Sequence, residues 1–179
     1  MYNMNQLLIS LSYYLFLFIL PVFLYIKFKD KLNPISYLKL DNKPLRGIAI
    51  GLCLSLIFLL FLIIKNNLYG WKPLNYDIGL LWISVLLIGI LEEVPFRGFI
   101  LQKLMGKTNF LTANIITTLL FIFMHYPIWI LTGADIFKST ISGALISLIF
   151  GYLFVEYDSL WIPIICHSAF NMSIWINLK

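Results

Sequence analysis

Long apolar runs alternate with short polar segments along the whole chain. Six of these runs are long enough to cross a bilayer, because about 20 helical residues span its hydrocarbon core. The residue-by-residue alternation that is typical of transmembrane β-strands is missing from the sequence. The pattern therefore predicts an all-α, polytopic integral membrane bundle of about six transmembrane helices, built as a single membrane domain, residues 1–179. The predicted spans are residues 7–26, 48–64, 78–105, 110–128, 136–155 and 159–177.

Composition supports the membrane interpretation and excludes several classes of protein. Of the 179 residues, 61% are hydrophobic and 12% are charged, and that charged fraction is about half the soluble norm. The net charge of +5 comes from lysines between the apolar runs, so a bilayer is the expected partner and nucleic acid is not. Cys53 and Cys166 offer neither a disulfide framework nor a zinc-binding spacing. Both cysteines are predicted to be small buried residues.

The lysines also predict the orientation of the helices. The first loop, residues 27–46, and the turn at residues 106–108 carry most of the basic residues, which places both inside the cell. The acidic turn at residues 156–158 then lies on the same side, and both termini lie outside. The basic residues expected outside are Lys65, Lys72, Lys138 and Lys179.

One apolar run contains a group of charges, Glu92, Glu93 and Arg97. A charge near the middle of a bilayer costs about 2.5–3.5 kcal/mol, so ionisable residues at that depth indicate a functional site. Glu93 and Arg97 are four residues apart, which predicts an ion pair on one helix face, whereas Glu92 points elsewhere. Pro95 predicts a kink beside these charges. A charge cluster at the end of a helix is the alternative interpretation.

Two runs carry small residues at four-residue intervals, a spacing that is typical of close helix packing in membranes. Gly47, Gly51 and Ser55 form the first stripe, in the second predicted span. The second stripe lies in the fifth span and consists of Ser139, Gly143, Ser147 and Gly151. In the fourth span, Pro127 and Gly133 are expected to end the helix.

The two histidines of the chain both lie in apolar runs. Counted from the predicted inner turns at about 1.5 Å per residue, Glu92 lies about 20 Å, His125 about 25 Å and His167 about 12 Å into the membrane. Asn171 follows His167 by one helical turn and shares its face. A single histidine in such a helix is more often a packing residue, but the agreement in depth across three helices predicts a shared site.

These residue types suit hydrolysis. A buried carboxylate can accept a proton from water, a histidine can orient that water, and a second histidine with an asparagine amide can donate to an oxyanion. Neither Cys166 nor Ser168 is placed as a nucleophile, because neighbours of His167 point to other helix faces. A proton relay for transport, through Glu92 and the histidines, is an alternative. The broken-helix repeats that are typical of transporters are missing from the sequence.

Three motifs, in order, resemble those of the CAAX protease and bacteriocin-processing family, also called the Abi family. Residues 92–97 resemble its Glu-Glu-x-x-x-Arg motif, residues 121–125 its Phe-x-x-x-His motif, and residues 167–171 its His-x-x-x-Asn motif. The resemblance covers residues 78–175, the expected catalytic core. It implies an intramembrane endopeptidase related to the Ras-converting CAAX prenyl protease.

The resemblance also implies roles for the site residues. Glu92 and His125 would activate the attacking water. His167 and Asn171 would form the oxyanion site, and the ion pair of the first motif would support it. The family has been described both as metal-dependent and as glutamate-based, and a His-Glu-x-x-His zinc motif is missing here. Glu92, His125 and His167 could supply three zinc ligands, but no metal cofactor is favoured, because Asn171 suits an oxyanion better than zinc.

The resemblance leaves the substrate class broad. It implies a peptide or a prenylated protein substrate. Prokaryotic members often accompany peptide bacteriocins, so a non-catalytic bacteriocin-immunity or peptide-binding membrane protein is the alternative function. The three intact motifs favour the enzyme. The composition, rich in lysine, isoleucine and asparagine, suggests an AT-rich bacterial genome and hence the bacterial plasma membrane.

Overall fold

The computed structural model describes residues 4–178, and every regular element in that range is helical. Residues 1–3 and Lys179, which belong to the predicted single domain, lie outside the described residues. The long helices within residues 4–178 are named α1 to α6. Their bounds are 4–29 for α1, Pro44–Leu68 for α2, 81–105 for α3, Phe110–Leu131 for α4, Ile136–Tyr157 for α5 and Trp161–Trp175 for α6. One further turn of helix, Pro34–Tyr37, lies in the loop after α1.

Four of the helices in the described range are long and apolar enough to cross a membrane. They are residues Leu11–Lys29 of α1 and the whole of α2, α4 and α5. The remaining two predicted spans are helices as well: α3 carries the charged group, and α6 has 15 residues. The prediction of an all-α, polytopic integral membrane protein is therefore confirmed, and the number of helices roughly fits.

α1 and α3 are not regular α-helices throughout. α1 changes to π-helix at Leu15–Ile19 and at Tyr25–Lys29, and α3 does so at Val94–Leu101. Pro95 is the second residue of the segment in α3, where its missing N–H and its ring disturb the i to i−4 hydrogen bonds. At Pro95, where the sequence predicts a kink, the structure has a π-helical segment, a feature found frequently at functional sites. The helix continues beyond it to Met105.

Two expectations about single residues are wrong. Pro127 lies inside α4 rather than at its end, because it removes only one backbone donor and the last turn is held by Thr132. The N–H and the hydroxyl of Thr132 both donate to the carbonyl oxygen of Ile128, at 2.9 and 2.7 Å. Cys53 is exposed on α2, and Cys166 is only partly buried. A small, weakly polar thiol is as compatible with a lipid-facing position as with a protein core.

Loops from distant parts of the chain are joined at one end of the bundle. Lys39 pairs with Asp158 at 3.0 Å, and the Asn42 amide donates to the Asp158 carboxylate at 2.7 Å. Lys103, near the end of α3, pairs with Asp30 in the loop after α1. The first loop, the end of α3 and the acidic turn between α5 and α6 therefore lie on one side of the membrane, as predicted. Which side this is stays a prediction.

α6 lies at the centre of the bundle, with α2 and α3 packed along it. Gly47, Gly51 and Ser55 on α2 are all buried, so the packing role predicted for the first small-residue stripe is confirmed. A Cβ added to Gly51 would lie 2.9 Å from the Cβ of Ile165 on α6. This close approach holds the helix that carries His167 in place.

We expect Gly89→Ala to weaken the contact between α3 and α6. A Cβ at Gly89 would lie 2.6 Å from the carbonyl oxygen of Ile164 and would collide with the Ser168 hydroxyl. Because a backbone carbonyl can move only with its helix, this overpacking is expected to cost about 1–3 kcal/mol of unfolding free energy. Thermal unfolding in detergent checks the prediction, with Gly106→Ala as the control, since a Cβ there would make only ordinary contacts. An equal Tm for the two variants would contradict it.

Candidate active site

The ion pair predicted from residue spacing on α3 is present and fully buried. Arg97 Nη1 donates to Glu93 Oε1 at 2.9 Å, and neither side chain is exposed. Arg97 Nη2 donates to the hydroxyl and the carbonyl oxygen of Ser147 on α5, at 2.8 and 3.1 Å. The rings of Phe121 and Phe150 lie 4.8 and 5.7 Å from the guanidinium carbon. These hydrogen bonds and cation–π contacts offset the loss of water around a buried charge.

The carboxylate oxygen that binds Arg97 also fixes His167. His167 Nδ1 lies 2.6 Å from Glu93 Oε1. A carboxylate paired with arginine is ionised and can only accept, so Nδ1 of this imidazole carries a proton. The opposite edge of the ring then presents Nε2 to Glu92, 3.5 Å from its Oε2. Glu93 therefore sets both the tautomer and the direction of His167.

His125 is oriented by its own helix. His125 Nδ1 lies 2.7 Å from the carbonyl oxygen of Phe121. Because a carbonyl oxygen can only accept, this nitrogen is also the protonated one. His125 Nε2 consequently faces Glu92 Oε2, at 3.4 Å. The Phe121 ring packs against the imidazole with the centroids 4.3 Å apart, so one residue supplies both the acceptor and the ring contact.

Three acceptor atoms meet at one point: Glu92 Oε2 and the Nε2 atoms of His125 and His167. Since Nδ1 is protonated on both rings, neutral imidazoles offer only lone pairs there. Within the described chain, the buried Oε2 of Glu92 has no hydrogen-bond partner. Acceptors that face one another require a donor between them, either an imidazolium N–H or a water molecule. The arrangement is therefore suited to holding a proton and passing it on.

The site is enclosed on most sides. Glu92 and His167 are 7% and 4% exposed, whereas the side chain of His125 is 23% exposed. Phe150 on α5 packs on the His167 ring with the centroids 5.6 Å apart. Trp129, one turn beyond His125 on α4, packs on its ring at the same centroid distance of 5.6 Å. Of the three side chains, that of His125 is therefore the most exposed.

Asn171 lies one helical turn beyond His167 on α6 and is half-buried. Its side chain makes no hydrogen bond with another group in residues 4–178, so the amide is available to a ligand. The structure thus brings Glu92, His125 and His167 together. It places Asn171 one turn beyond His167 on α6, without a hydrogen bond to the other three in residues 4–178.

Sequence reasoning missed the part that α5 plays. The fifth span is predicted only to pack, through its stripe of small residues, yet Ser147 and Phe150 of α5 contact Arg97 and His167. α5 also packs against a neighbouring helix, as its small residues predict, because Gly151 is buried against the amide of Asn114 on α4. The sequence offered one signal for this role of α5: a buried arginine needs more acceptors than a single carboxylate supplies, so an acceptor on another helix could be expected for Arg97.

The residues expected to bind zinc were Glu92, His125 and His167. Their separations of 3.4 and 3.5 Å would suit ligand atoms around one small cation. Among residues 4–178, no group of three or more His, Cys, Asp or Glu side chains is found in an arrangement that could hold a metal ion. The absence of a metal cofactor stays a prediction.

Comparison with known proteins identifies the family. Residues 73–173 match the family described as type II CAAX prenyl endopeptidase Rce1-like. The chain belongs to this family. The matched residues cover more than half of the chain and include all three motifs. The family resemblance stated from those motifs is therefore confirmed, and with the apolar helices it makes the chain an integral membrane protein of a CAAX-type protease family.

One relative of the chain is described as a peptidase. The Bacillus subtilis (strain 168) protein named "Putative membrane peptidase YdiL" is 32% identical over 82 residues, which are 46% of this chain and 30% of that protein. The match thus spans less than a third of that relative's length. No solved structure matches the chain.

Proposed function

We propose that this protein is an intramembrane endopeptidase that hydrolyses a peptide bond at the site formed by α3, α4 and α6. The observation that carries the proposal is the convergence of Glu92 Oε2 with the Nε2 atoms of His125 and His167, at 3.4 and 3.5 Å. Such a set of acceptors can bind a water molecule and remove its proton. Membership of the CAAX prenyl endopeptidase family supports the same class of reaction.

The first proposed step is attack of water on the carbonyl carbon of the substrate. The ionised Glu92 accepts one proton from the water while the oxygen forms the new C–O bond. His125 Nε2 accepts a hydrogen bond from the same water and directs it toward the carbonyl carbon. The carbonyl π electrons move to the substrate oxygen, which gives a tetrahedral oxyanion. The low exposure of Glu92 strengthens these interactions, because little solvent screens them.

His167 and Asn171 are proposed to stabilise the oxyanion. When its ring is doubly protonated, His167 donates from Nε2, while its Nδ1 stays bonded to the Glu93 carboxylate. The half-buried amide of Asn171 supplies a second N–H donor. The intermediate then breaks its C–N bond, and the proton held by Glu92 passes to the leaving nitrogen. This transfer restores the carboxylate for the next cycle.

The proposed mechanism is of the glutamate type and uses no metal ion. The Glu93–Arg97 pair has a supporting role, because Glu93 orients His167 and Arg97 holds Glu93. Both residues are fully buried and bonded to each other, so neither is available to a substrate.

The proposed substrate is a peptide or a prenylated protein that is presented at the membrane. Large apolar side chains are exposed around the helices, which suits contact with lipid, and the site is proposed to lie within the bilayer. A substrate that approaches His125 must therefore do so from within or beside the membrane. The description of the family as a prenyl endopeptidase supports a substrate with a lipid-like group.

A cleavage assay with the purified protein in liposomes tests the proposed function. Three sets of peptides serve as substrates: prenylated CAAX-type peptides, the same peptides without the prenyl group, and bacteriocin-leader peptides. New termini are identified by mass spectrometry. We expect cleavage of at least one set, at a rate that a zinc chelator leaves unchanged. The Glu92→Gln protein, prepared in parallel, is the control for contaminating proteases.

Three other results of this assay would contradict different parts of the proposed function. Loss of cleavage with the chelator and its recovery with added zinc would replace the glutamate-type mechanism by a metal-dependent one. Equal cleavage by the wild type and the Glu92→Gln variant would assign the activity to a contaminant or to another site. No cleavage by the wild type, with protection of cells against a peptide toxin that survives Glu92→Gln, would favour immunity by binding.

A further inference from the structure

α5 contributes a serine to the hydrogen-bond network behind the two histidines. Ser147 is 1% exposed, and its hydroxyl accepts from Arg97 Nη2 at 2.8 Å. The same hydroxyl lies 2.9 Å from the hydroxyl of Thr118 on α4, which is itself 4% exposed. Since Arg97 has no acceptor to offer, Ser147 remains able to donate to Thr118. Two buried hydroxyls from different helices thus form a chain that ends, through Ser147, at the Arg97 guanidinium group.

These contacts form a continuous path to the proposed active site. Ser147 binds Arg97, and Arg97 binds Glu93 Oε1. Glu93 Oε1 is also the acceptor for His167 Nδ1, at 2.6 Å. One carboxylate oxygen therefore links the guanidinium to the imidazole, so a displacement of Arg97 changes the geometry of His167.

We infer that Ser147 is a positioning residue of the active site: it fixes Arg97, and through Glu93 it fixes the ring of His167, without touching the substrate. The effect of this residue on rate rests on the proposed peptidase function. Its effect on the geometry of His167 does not depend on that function.

The need for Ser147 follows from the partners of Arg97. Nη1 is bonded within α3, to Glu93, and Nε has no partner in residues 4–178. The hydrogen bonds from Arg97 to another helix are the two to Ser147. Without the hydroxyl, one carbonyl oxygen remains to stop the guanidinium from sliding between the rings of Phe121 and Phe150. Ring contacts are weakly directional, so they cannot replace the lost hydrogen bond.

Kinetics of matched variants test the inference. In the liposome assay, Ser147→Ala and Thr118→Val are expected to lower kcat about 10-fold and to leave KM unchanged, because His167 is misplaced but substrate contacts remain. The controls are Ser142→Ala and Thr117→Val. The Ser142 hydroxyl donates to Lys138 O, and the buried Thr117 hydroxyl donates to Ala113 O, so both bond only within their own helices. Both controls are expected to keep the wild-type kcat.

A double-mutant cycle distinguishes positioning from a purely structural role. If Ser147 acts through Glu93, the substitution Ser147→Ala should change kcat much less in a Glu93→Gln background than in the wild type. Equal fold-changes in the two backgrounds would overturn the inference. Should Ser147→Ala fail to fold, Thr118→Val takes its place in the same cycle.

A spectroscopic readout does not need the enzymatic activity. The chain has two histidines, so selective nitrogen-15 labelling of histidine gives ring signals of His125 and His167 alone. Ser147→Ala is expected to shift the Nδ1 signal of His167, and Thr117→Val is not. An unshifted signal with wild-type kcat would overturn the inference and leave the proposed function standing. A shifted signal in a protein whose wild type cleaves no peptide would support the positioning role and overturn the proposed function.

Discussion

Glu92→Gln is expected to lower kcat by about 10²–10⁴-fold, the range for loss of a general base. Glutamine preserves the size of the side chain but cannot accept the proton of the attacking water. KM is expected to change little, because Glu92 is proposed to contact water rather than the substrate. Initial rates in liposomes, measured at equal amounts of folded protein, check the prediction.

The same substitution is expected to leave the protein folded, with an unchanged or higher Tm. Glu92 Oε2 is buried and lacks a hydrogen-bond partner in the described chain, so its charge is costly. The amide group of glutamine can donate to Nε2 of either histidine, His125 or His167, and so removes the conflict among three acceptors. A rise in stability together with a loss of activity is typical of a residue retained for function.

Glu156→Gln is the matched control, because Glu156 is an exposed acid near the end of α5. It is expected to keep the wild-type kcat. Retention of more than about a tenth of the wild-type kcat by Glu92→Gln would rule out Glu92 as the general base. A large drop in Tm for Glu92→Gln would instead show that its carboxylate is needed for folding.

Arg97→Met is expected to lower the free energy of unfolding by about 3–5 kcal/mol, the range for breaking a buried ion pair. The variant leaves Glu93 fully buried without its cation and removes the donors to Ser147. His167 then has to compensate the Glu93 charge alone. Reversible unfolding in mixed detergent micelles measures the loss, and the exposed Lys107→Met is the control for removal of a positive charge.

A double variant separates the loss of a partner from the loss of packing. Arg97→Met combined with Glu93→Gln removes both charges, so no unpaired ion remains in the interior. It is expected to be more stable than Arg97→Met alone, although its activity is lost. A double variant that is less stable than both single variants would contradict the view that the uncompensated charge of Glu93 causes the destabilisation.

Part of the site could be predicted from the sequence because helix geometry is local. Residues four apart share a face in any α-helix, so the pair of Glu93 and Arg97 followed from spacing alone. The similar depths of Glu92 and the two histidines followed from the polar turns, which mark the ends of the apolar runs clearly. The roles of these residues in catalysis stay predictions. Depth also does not determine rotation, so the convergence of both Nε2 atoms on Glu92 required the structure.

The contribution of α5 could not be predicted for a related reason. In a soluble helix, the contrast between apolar and polar positions shows which face is buried. In a membrane both the lipid and the neighbouring helices are apolar, so the rotation of α5 about its axis left little trace in the sequence. Ser147 therefore looked like one more small residue at a packing interval, and its bond to Arg97 was hidden. The exposure of Cys53 was missed for the same reason.

The cross-links between distant loops restrain one end of the bundle. At the opposite end, the contact between the side chains of Tyr126 and Thr140, at 3.3 Å, joins α4 to α5. Glu92 and His167 lie on α3 and α6, which pack closely along each other, whereas His125 lies on α4. The distance between Glu92 and His125 therefore depends on how α4 is seated against the other helices, whereas the distance between Glu92 and His167 is set by the contact between α3 and α6.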